Sequence, residues 1–381
     1  MYDYIIVGGG ISGLYANWKL KTYSGLLLER EDVFGGRTFE IDFHGTRIKM
    51  GAGILEPQNK HLLRLLKKLG ITPKPFEDSL ESMPPYNHSI NTMIAMIKAK
   101  YSSLHKRITT MSMKKFLLTY FGLEFTLEYM KQCEYLDWIE SDVDYHIRYY
   151  SIDDMTIGPY QGYSIQWTDL IKKLTLPNCK TNIEVIQIES KQNYFILHTK
   201  DNTYTTKQVI MATSLKPLNQ LIRMKTWSYE DKIGAVPFVR IYVWNKTAIL
   251  KNKLPGYFTV DNELQKIIVV NKNVLMASYS DNANAAYWIH INTLPKEKII
   301  RIVQRKLEQA IPHYVNQIED VIISTWDEGV HFYKPHRMDF DALLYQLSHP
   351  MKGITVIGEI VSKKVGWVEG AVESVDRIIG Y

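Results

Sequence analysis

Cysteine is scarce in this sequence: Cys133 and Cys179 are the only two among 381 residues. Two thiols, neither in a C-x-x-C pair, exclude a disulfide framework and favour a reducing compartment. No apolar run approaches the roughly 18 residues that a membrane helix needs, so no membrane span is expected. A secretory leader is not expected either, because the first apolar run feeds directly into a glycine turn. Long basic blocks are also missing. The net charge of +6 is modest and spread along the chain, which argues against a nucleic-acid partner. There is no internal repeat or low-complexity tract, and no metal site is expected. These absences leave a cytoplasmic or otherwise intracellular soluble protein, long enough for two domains.

What is present begins at the first residues. In "YDYIIVGGGISGLYANWKLK" a strand-like run ending at Val7 meets Gly8, Gly10 and Gly13, after which Leu14, Trp18 and Leu20 have helical spacing. The three glycines fill the G-x-G-x-x-G pattern: a tight turn, a backbone close enough to touch a pyrophosphate, and close helix-to-strand packing. The helix then offers free N–H groups to an anion. In "SGLLLEREDVFGGRT" a short buried strand, Leu26 to Leu28, ends at Glu29, twenty-one residues after Gly8. That spacing suits a carboxylate that accepts ribose hydroxyls. Gly36 and Arg37 follow, a flexible turn and a permanent guanidinium where a second phosphate contact would lie. A surface salt bridge is the competing reading of Arg37.

Further along, residues 41–55 read as a small antiparallel excursion, and "NKHLLRLLKKLG" stacks Leu62, Leu65, Leu66 and Leu69 on one helical face. Pro73, Pro75, Pro84 and Pro85 mark a boundary, and residues 90–145 are helical in pattern. From about 180 the alternation predicts a β-meander, residues 236–293 are strand-rich, and "KEKIIRIVQRKLEQAI" is an amphipathic helix. "GITVIGE" is a last buried strand ending at Gly358-Glu359. A loop then leads to Gly366-Trp367-Val368 and a final helix whose amino terminus faces the loop.

Taken in order, "IIVGGGISGL", "LLLEREDVFGGRT", "MGAGILEPQNKHLLRLLKKLGI", "PYQGYSIQWTDLIKKL", "EVIQI", "VIMATS" and "VIGEIVSKKVGWVEGAVESVDR" resemble the flavin-containing amine oxidases, a family that includes monoamine, polyamine and many L-amino-acid oxidases. The resemblance implies an α/β (α+β), two-domain FAD-dependent oxidoreductase. Its Rossmann-like ββα FAD-binding domain would be discontinuous over residues 1–76, 160–233 and 321–381, interrupted by a mixed sheet-plus-helix substrate domain over 77–159 and 234–320. It further implies that Gly8, Gly10, Ile11, Ser12 and Gly13 hold the FAD diphosphate, Glu29 with Arg30 beside it the adenosine ribose, and Val185 the adenine. Gly36, Arg37, Gly51, Ala52 and Gly53 would serve the flavin side, and Gly358, Glu359, Trp367 and Val368 the ribityl chain and ring.

Departures from the family pattern limit what carries over. Where the family often has a lysine that holds a water at the flavin, "GAVPFVRIYVWNK" has Arg240. Either Arg240 replaces that lysine with altered oxygen chemistry, or it points elsewhere and pairs with an acid. "STWDEGVHFYKP" lacks the cysteine of covalent members, so FAD is expected to be non-covalent. The membrane anchor that some relatives append is not expected here. Trp367 matches one aromatic of the family's amine cage. The other position, near Gly329-Val330, is not aromatic, although Trp326, Phe332 and Tyr333 are close in sequence.

Arg240, Trp367 and Trp326 are therefore the candidate catalytic residues. The acids Glu134, Asp137, Glu140, Asp142, Asp144, Asp153 and Asp154 cluster against one arginine, Arg148. They would suit a cationic polyamine, and a solvated helix face explains them equally well. The resemblance implies oxidation of a small-molecule primary or secondary amine to an imine, with dioxygen reduced to hydrogen peroxide. The alternatives are a flavin desaturase or dehydrogenase of the phytoene-desaturase or protoporphyrinogen-oxidase type, and a flavin-binding protein without activity.

Overall fold

In the computed structural model the described residues are 1–82, 86–104, 110–150, 158–224, 226–249, 254, 256–311, 314 and 317–380. Asp153 and Asp154 of the acidic run, and Pro84 and Pro85 of the expected boundary, lie outside them.

Strand β1 (Tyr2–Val7), helix α1 (Ile11–Lys19) and strand β2 (Gly25–Leu28) form an opening βαβ unit. The hairpin β3 (Glu40–Phe43) and β4 (Thr46–Lys49) follows, then α2 (Lys60–Lys68) and β5 (Lys74–Ser82). Helices α3 (Ile90–Ser103), α4 (Met113–Gln132) and the single turn α5 (Val143–Tyr145) lead to β6 (Gly158–Ser164) and α6 (Trp167–Leu174). Next come β7 (Cys179–Lys180), the meander β8 (Val185–Ser190), β9 (Phe195–Thr199) and β10 (Thr203–Met211), and α7 (Leu215–Leu221). Then come β11 (Ile233–Asn245), β12 (Tyr257–Thr259), β13 (Lys266–Val269), β14 (Val274–Asp281), α8 (Asn282–Ile291) and α9 (Lys296–Ala310). The chain closes with β15 (Ile318–Tyr333), α10 (Phe340–Ser348), β16 (Ile354–Val356) and α11 (Val368–Ile379).

The first sheet runs β7-β2-β1-β10-β9-β8, with β16 also on β10. Its β7, β2, β1, β10 and β16 are parallel, and β8 and β9 antiparallel. Parallel strands are covered on both faces, and β1 shows how the residue alternation does it. Ile5 and Val7 enter one core with Leu218 of α7 and Leu343 and Leu347 of α10. Tyr4 and Ile6 enter the other with Leu14 of α1, Leu65 and Leu66 of α2, Leu170 of α6, and Val372 and Val375 of α11. Each fully buried leucine is worth about 1.5–3 kcal/mol relative to exposure, so the amphipathic stripe of α2 suffices to dock that helix.

The second sheet runs β15-β11-β14-β13-β12-β5-β6. On β11, Val239, Ile241 and Val243 face α8 and α9 in a core with Trp288, Val303 and Leu307. Strand alternation sends Phe238, Arg240 and Tyr242 to the opposite face, where Tyr242 packs with Phe43, Ile48 and Met50 around the β3–β4 hairpin. The expected cuts at 76/77, 159/160, 233/234 and 320/321 all fall within β5, β6, β11 and β15.

Two elements differ from the expectation. Residues 282–291, inside a segment read as strand-rich, are helix α8, because Ala285, Trp288 and Ile291 recur at helical spacing and bury on the sheet. Helix α4 is two pieces across Gly122, whose φ of 83° interrupts the ladder.

Candidate functional site

The glycine turn is built by steric necessity. Gly8 has φ +108°, and a Cβ there would lie 2.5 Å from the Ala212 carbonyl oxygen. A Cβ on Gly13 would meet the Gly8 oxygen at 2.0 Å, so α1 sits directly on the turn. Gly10 is different: nothing lies within 4 Å of an added Cβ. Across the gap, a Cβ on Gly36 would find only the Gly10 Cα at 3.5 Å. Gly10 caps α1 without a side-chain hydrogen bond, and the first turn, Ile11 and Ser12 included, carries no acid. A helix terminus with uncapped donors facing an open backbone cradle fits a diphosphate.

At the end of β2, the Glu29 carboxylate accepts from the Gly9 N–H at 2.5 Å and the Glu31 N–H at 2.9 Å. It therefore stands beside the turn and half-exposed. Arg30 is exposed and paired with Glu31 at 2.8 Å, away from the glycines. The side chain of Val185 is buried in the core. The chain just before Val185 runs along Glu29, however, with Ile183 N–H donating to the Glu29 carbonyl at 2.8 Å.

The third contributor is Arg37. Its guanidinium donates to the Gly329 carbonyl and to Glu359 Oε1, each at 2.7 Å. Glu359 also contacts His331 Nδ1 and accepts from Gly366 N–H at 2.9 Å, which carries Trp367 and Val368 to the same place. Burial alone would raise the Glu359 carboxyl, but the His331 and Arg37 charges and the hydrogen bonds hold it well below the usual carboxylate range. A Cβ on Gly358 would lie 3.6 Å from Ser12 Oγ, so this loop abuts the start of α1.

Gly51-Ala52-Gly53 lies against the same arginine. A Cβ on Gly51 would meet the Arg37 oxygen at 2.0 Å, and Ala52 N–H donates to that oxygen at 2.7 Å. Trp167 Nε1 donates to the Ala52 carbonyl at 2.9 Å and Trp326 Nε1 to the Met50 carbonyl at 3.1 Å. On the far side, a Cβ on Gly53 would be 3.1 Å from Arg240 Nη2. Arg240 thus stands between this loop and the second sheet. Its Nη1 donates to the Lys49 carbonyl at 3.0 Å, and its guanidinium lies over the Tyr279 ring at 4.5 Å. No acid is within ion-pair reach of it among the described residues. Lys49, bonded to the Gly53 carbonyl and to Ser164, is pushed down to about 8 by burial and by Arg240, against the pull of Glu40.

The structure brings the glycine turn, Glu29, Gly36, Arg37, Gly51 to Gly53, Gly358, Glu359, Trp367, Val368, Trp326 and Arg240 to one seam between the sheets. Arg30 and the Val185 side chain are not part of it. Val330 lies against Gly366, while Tyr333 is fully buried with its hydroxyl on the Ile360 and Ser362 carbonyls, so neither adds a second ring beside Trp367. The acidic run is dispersed. Glu134 pairs with Lys266 at 2.7 Å, Tyr150 donates to Asp137 at 2.6 Å, Asp142 caps α5, and Glu140 and Asp144 pair with Lys114 and Arg148. Sequence reasoning missed His331, Lys49, Tyr242 and Tyr279. The period-two spacing of Phe238, Arg240 and Tyr242 was the available signal for Tyr242, and nothing local marks the others.

Comparison with known proteins identifies the family and the fold. Residues 107–377 match the family model described as flavin containing amine oxidoreductase, and residues 6–69 match an NAD(P)-binding Rossmann-like domain. A flavin-containing amine oxidase of Oncorhynchus mykiss is 40% identical over 73 residues, 18% of this chain and 14% of that protein. Amine oxidase B of Bos taurus is 41% identical over 73 residues, again 18% and 14%. The aligned stretch is thus a small part of these curated relatives' length. Among solved structures, a triple mutant of putrescine oxidase superposes with a TM-score of 0.77 at 15% identity, covering 99% of this chain and 97% of that one. Cyclohexylamine oxidase from Brevibacterium oxydans gives 0.76 at 16% identity with the same coverage. At such identities the likeness establishes the fold.

Proposed function

Because the chain belongs to the flavin containing amine oxidoreductase family, we propose that it is an FAD-dependent oxidase of amines, converting a primary or secondary amine to an imine that water hydrolyses, with dioxygen as the electron acceptor. The observation that carries this reading is the convergence of the open Gly10–Gly36 cradle, the Arg37–Glu359 pair and the Gly51–Gly53 loop opposite β11. When bound, FAD supplies two-electron acceptance from a carbon next to nitrogen and return of the electrons to oxygen. The chain supplies position. The glycine turn and the α1 terminus hold the diphosphate, Glu29 the ribose hydroxyls, and Arg37 with Glu359 fixes the loop that presents Trp367. The rings of Trp367 and Trp326 orient the amine and keep water out.

Arg240, standing where the family often has lysine, favours a second reading, a flavin dehydrogenase that passes its electrons to something other than oxygen. One experiment separates the two. The yellow holoprotein is mixed anaerobically with a panel of amines and then exposed to air. Bleaching followed by stoichiometric peroxide supports the oxidase, and bleaching with slow reoxidation supports the dehydrogenase. No bleaching by any amine defeats both.

A further inference from the structure

Two cations of this region other than Arg240 are given acids, while Lys49 is not. Lys266 meets Glu134 at 2.7 Å, with both side chains under a tenth exposed, and Arg37 meets Glu359 at 2.7 Å. Arg240 is treated otherwise. It is 4% exposed, its Nη1 reaches only the Lys49 carbonyl at 3.0 Å and the Tyr242 hydroxyl at 3.4 Å, and its Nε has no partner among the described residues. Its flat faces are covered by Tyr279 at 4.5 Å and Phe238 at 5.6 Å. At the end of β4 stands a further cation, Lys49, on which the Arg240 charge acts. A guanidinium keeps its charge at every working pH, and burying it without a counterion is costly. Among the described residues this planar fork, held between rings with Nε unpartnered and only neutral oxygens on the rest, lacks a counterion and suits a carboxylate.

The same surroundings are hostile to a second ammonium. Lys266 Nζ already lies 4.2 Å from the Tyr279 ring centroid and 4.3 Å from that of Tyr135, so the chain's own cations occupy the aromatic faces that would attract one. A diamine would carry its distal charge toward Arg240, Lys49 and Lys266. Of the nearby acids, Glu134 is paired with Lys266, while Asp137 and Glu56 accept from the Tyr150 and Tyr160 hydroxyls.

We propose that Arg240 is a substrate-binding residue that receives a carboxylate, so that the amine oxidised here is an amino acid or another amine bearing a carboxylate, not a di- or polyamine. This rests on the amine-oxidising reading above and narrows it. The competing source of balancing charge is the cofactor itself, and a carboxylate that carries no amine tells the two apart.

The test titrates benzoate, with benzamide as the uncharged control, into the holoprotein and into Arg240→Met, following the visible flavin spectrum. The expected result is a saturable change with benzoate in the parent protein, absent with benzamide, and at least thirtyfold weaker in Arg240→Met while the bound flavin spectrum remains. Arg240→Gln, which keeps donors for the Lys49 carbonyl, serves the same purpose if the methionine variant fails to fold. Equal benzoate binding in parent and variants, or none in the parent, overturns the proposal. In anaerobic reduction, L-amino acids are expected to bleach the flavin and putrescine is not. Bleaching by putrescine without a benzoate response overturns this proposal and leaves amine oxidation standing. Arg240-dependent benzoate binding with no bleaching by any amine supports the carboxylate site and overturns the amine-oxidising reading.

Discussion

Arg37 and Glu359, 322 positions apart in the chain, are joined by a hydrogen-bonded ion pair at 2.7 Å, with Glu359 6% exposed at its side chain. Arg37 is 31% exposed and keeps the Gly329 carbonyl, so removing Glu359 leaves a partly solvated charge, a loss of roughly 1–3 kcal/mol. Glu359→Gln is expected to show that loss in urea denaturation of the apoprotein at pH 7. The carboxyl is held below its ordinary value of 4.5, so its stabilisation is complete above that value and is lost as pH falls below it. The gap between parent and variant should therefore narrow below pH 4.5, and a gap independent of pH would count against the pair.

The glycines of the turn should separate by experiment. Gly13→Ala drives a Cβ to 2.0 Å from the Gly8 oxygen and is expected to destabilise the apoprotein by roughly 3 kcal/mol or more. Gly10→Ala meets no atom within 4 Å, and its φ of −68° is ordinary for alanine. It should leave the apoprotein's Tm unchanged and weaken FAD binding by about two decades, ~2.7 kcal/mol. Normal FAD affinity in Gly10→Ala would place the diphosphate elsewhere.

For Glu29, a carboxylate accepting ribose hydroxyls contributes roughly 1.5–3 kcal/mol. Glu29→Ala is expected to raise the Kd for FAD by one to two decades in equilibrium dialysis. Because Gly9 and Glu31 N–H groups also bond this carboxylate, a Tm measurement on the apoprotein separates loss of the turn from loss of the ligand. The FAD released by heating the parent protein should be intact and leave no flavin on the precipitate.

A buried acid pair sets a second pH dependence. Asp281 accepts from the Leu136 and Asp137 N–H groups, and Asp137 from the Tyr150 hydroxyl. Burial raises both carboxyls above the ordinary 3.8, and the Asp281 charge adds to the rise at Asp137. A raised acid stabilises the fold fully below its unfolded value and less as pH climbs through its folded one. Asp137→Asn should therefore flatten the decline in stability between about pH 4 and pH 8 in thermal melts, and an unchanged slope would refute the assignment.

Motifs with local causes were legible in the sequence. The turn at Gly8 to Gly13, the acid at Glu29 and the last strand and helix each follow from spacing within some twenty residues, and each stands where the pattern put it. The partners of those motifs were not legible. That Arg37 meets Glu359, or that Glu359 meets His331, depends on three chain segments docking at one seam. The acidic run from Glu134 looked like a solvent-facing or substrate-facing charge patch because its counterions, Lys266 on β13 and Lys114 on α4, are remote in sequence. For Arg240 the motif gave the position, and only the fold showed that no acid among the described residues shares it.

Two indoles, Trp167 and Trp326, are anchored by their N–H groups to the carbonyls of Ala52 and Met50. They hold the loop from both sides, and one of them, Trp167, is fully buried. Tryptophan emission overlaps flavin absorption, so these rings are built-in reporters of what occupies the seam. Filling it should dim the protein's own fluorescence, and stopped-flow emission would then give the rate of cofactor arrival without any label.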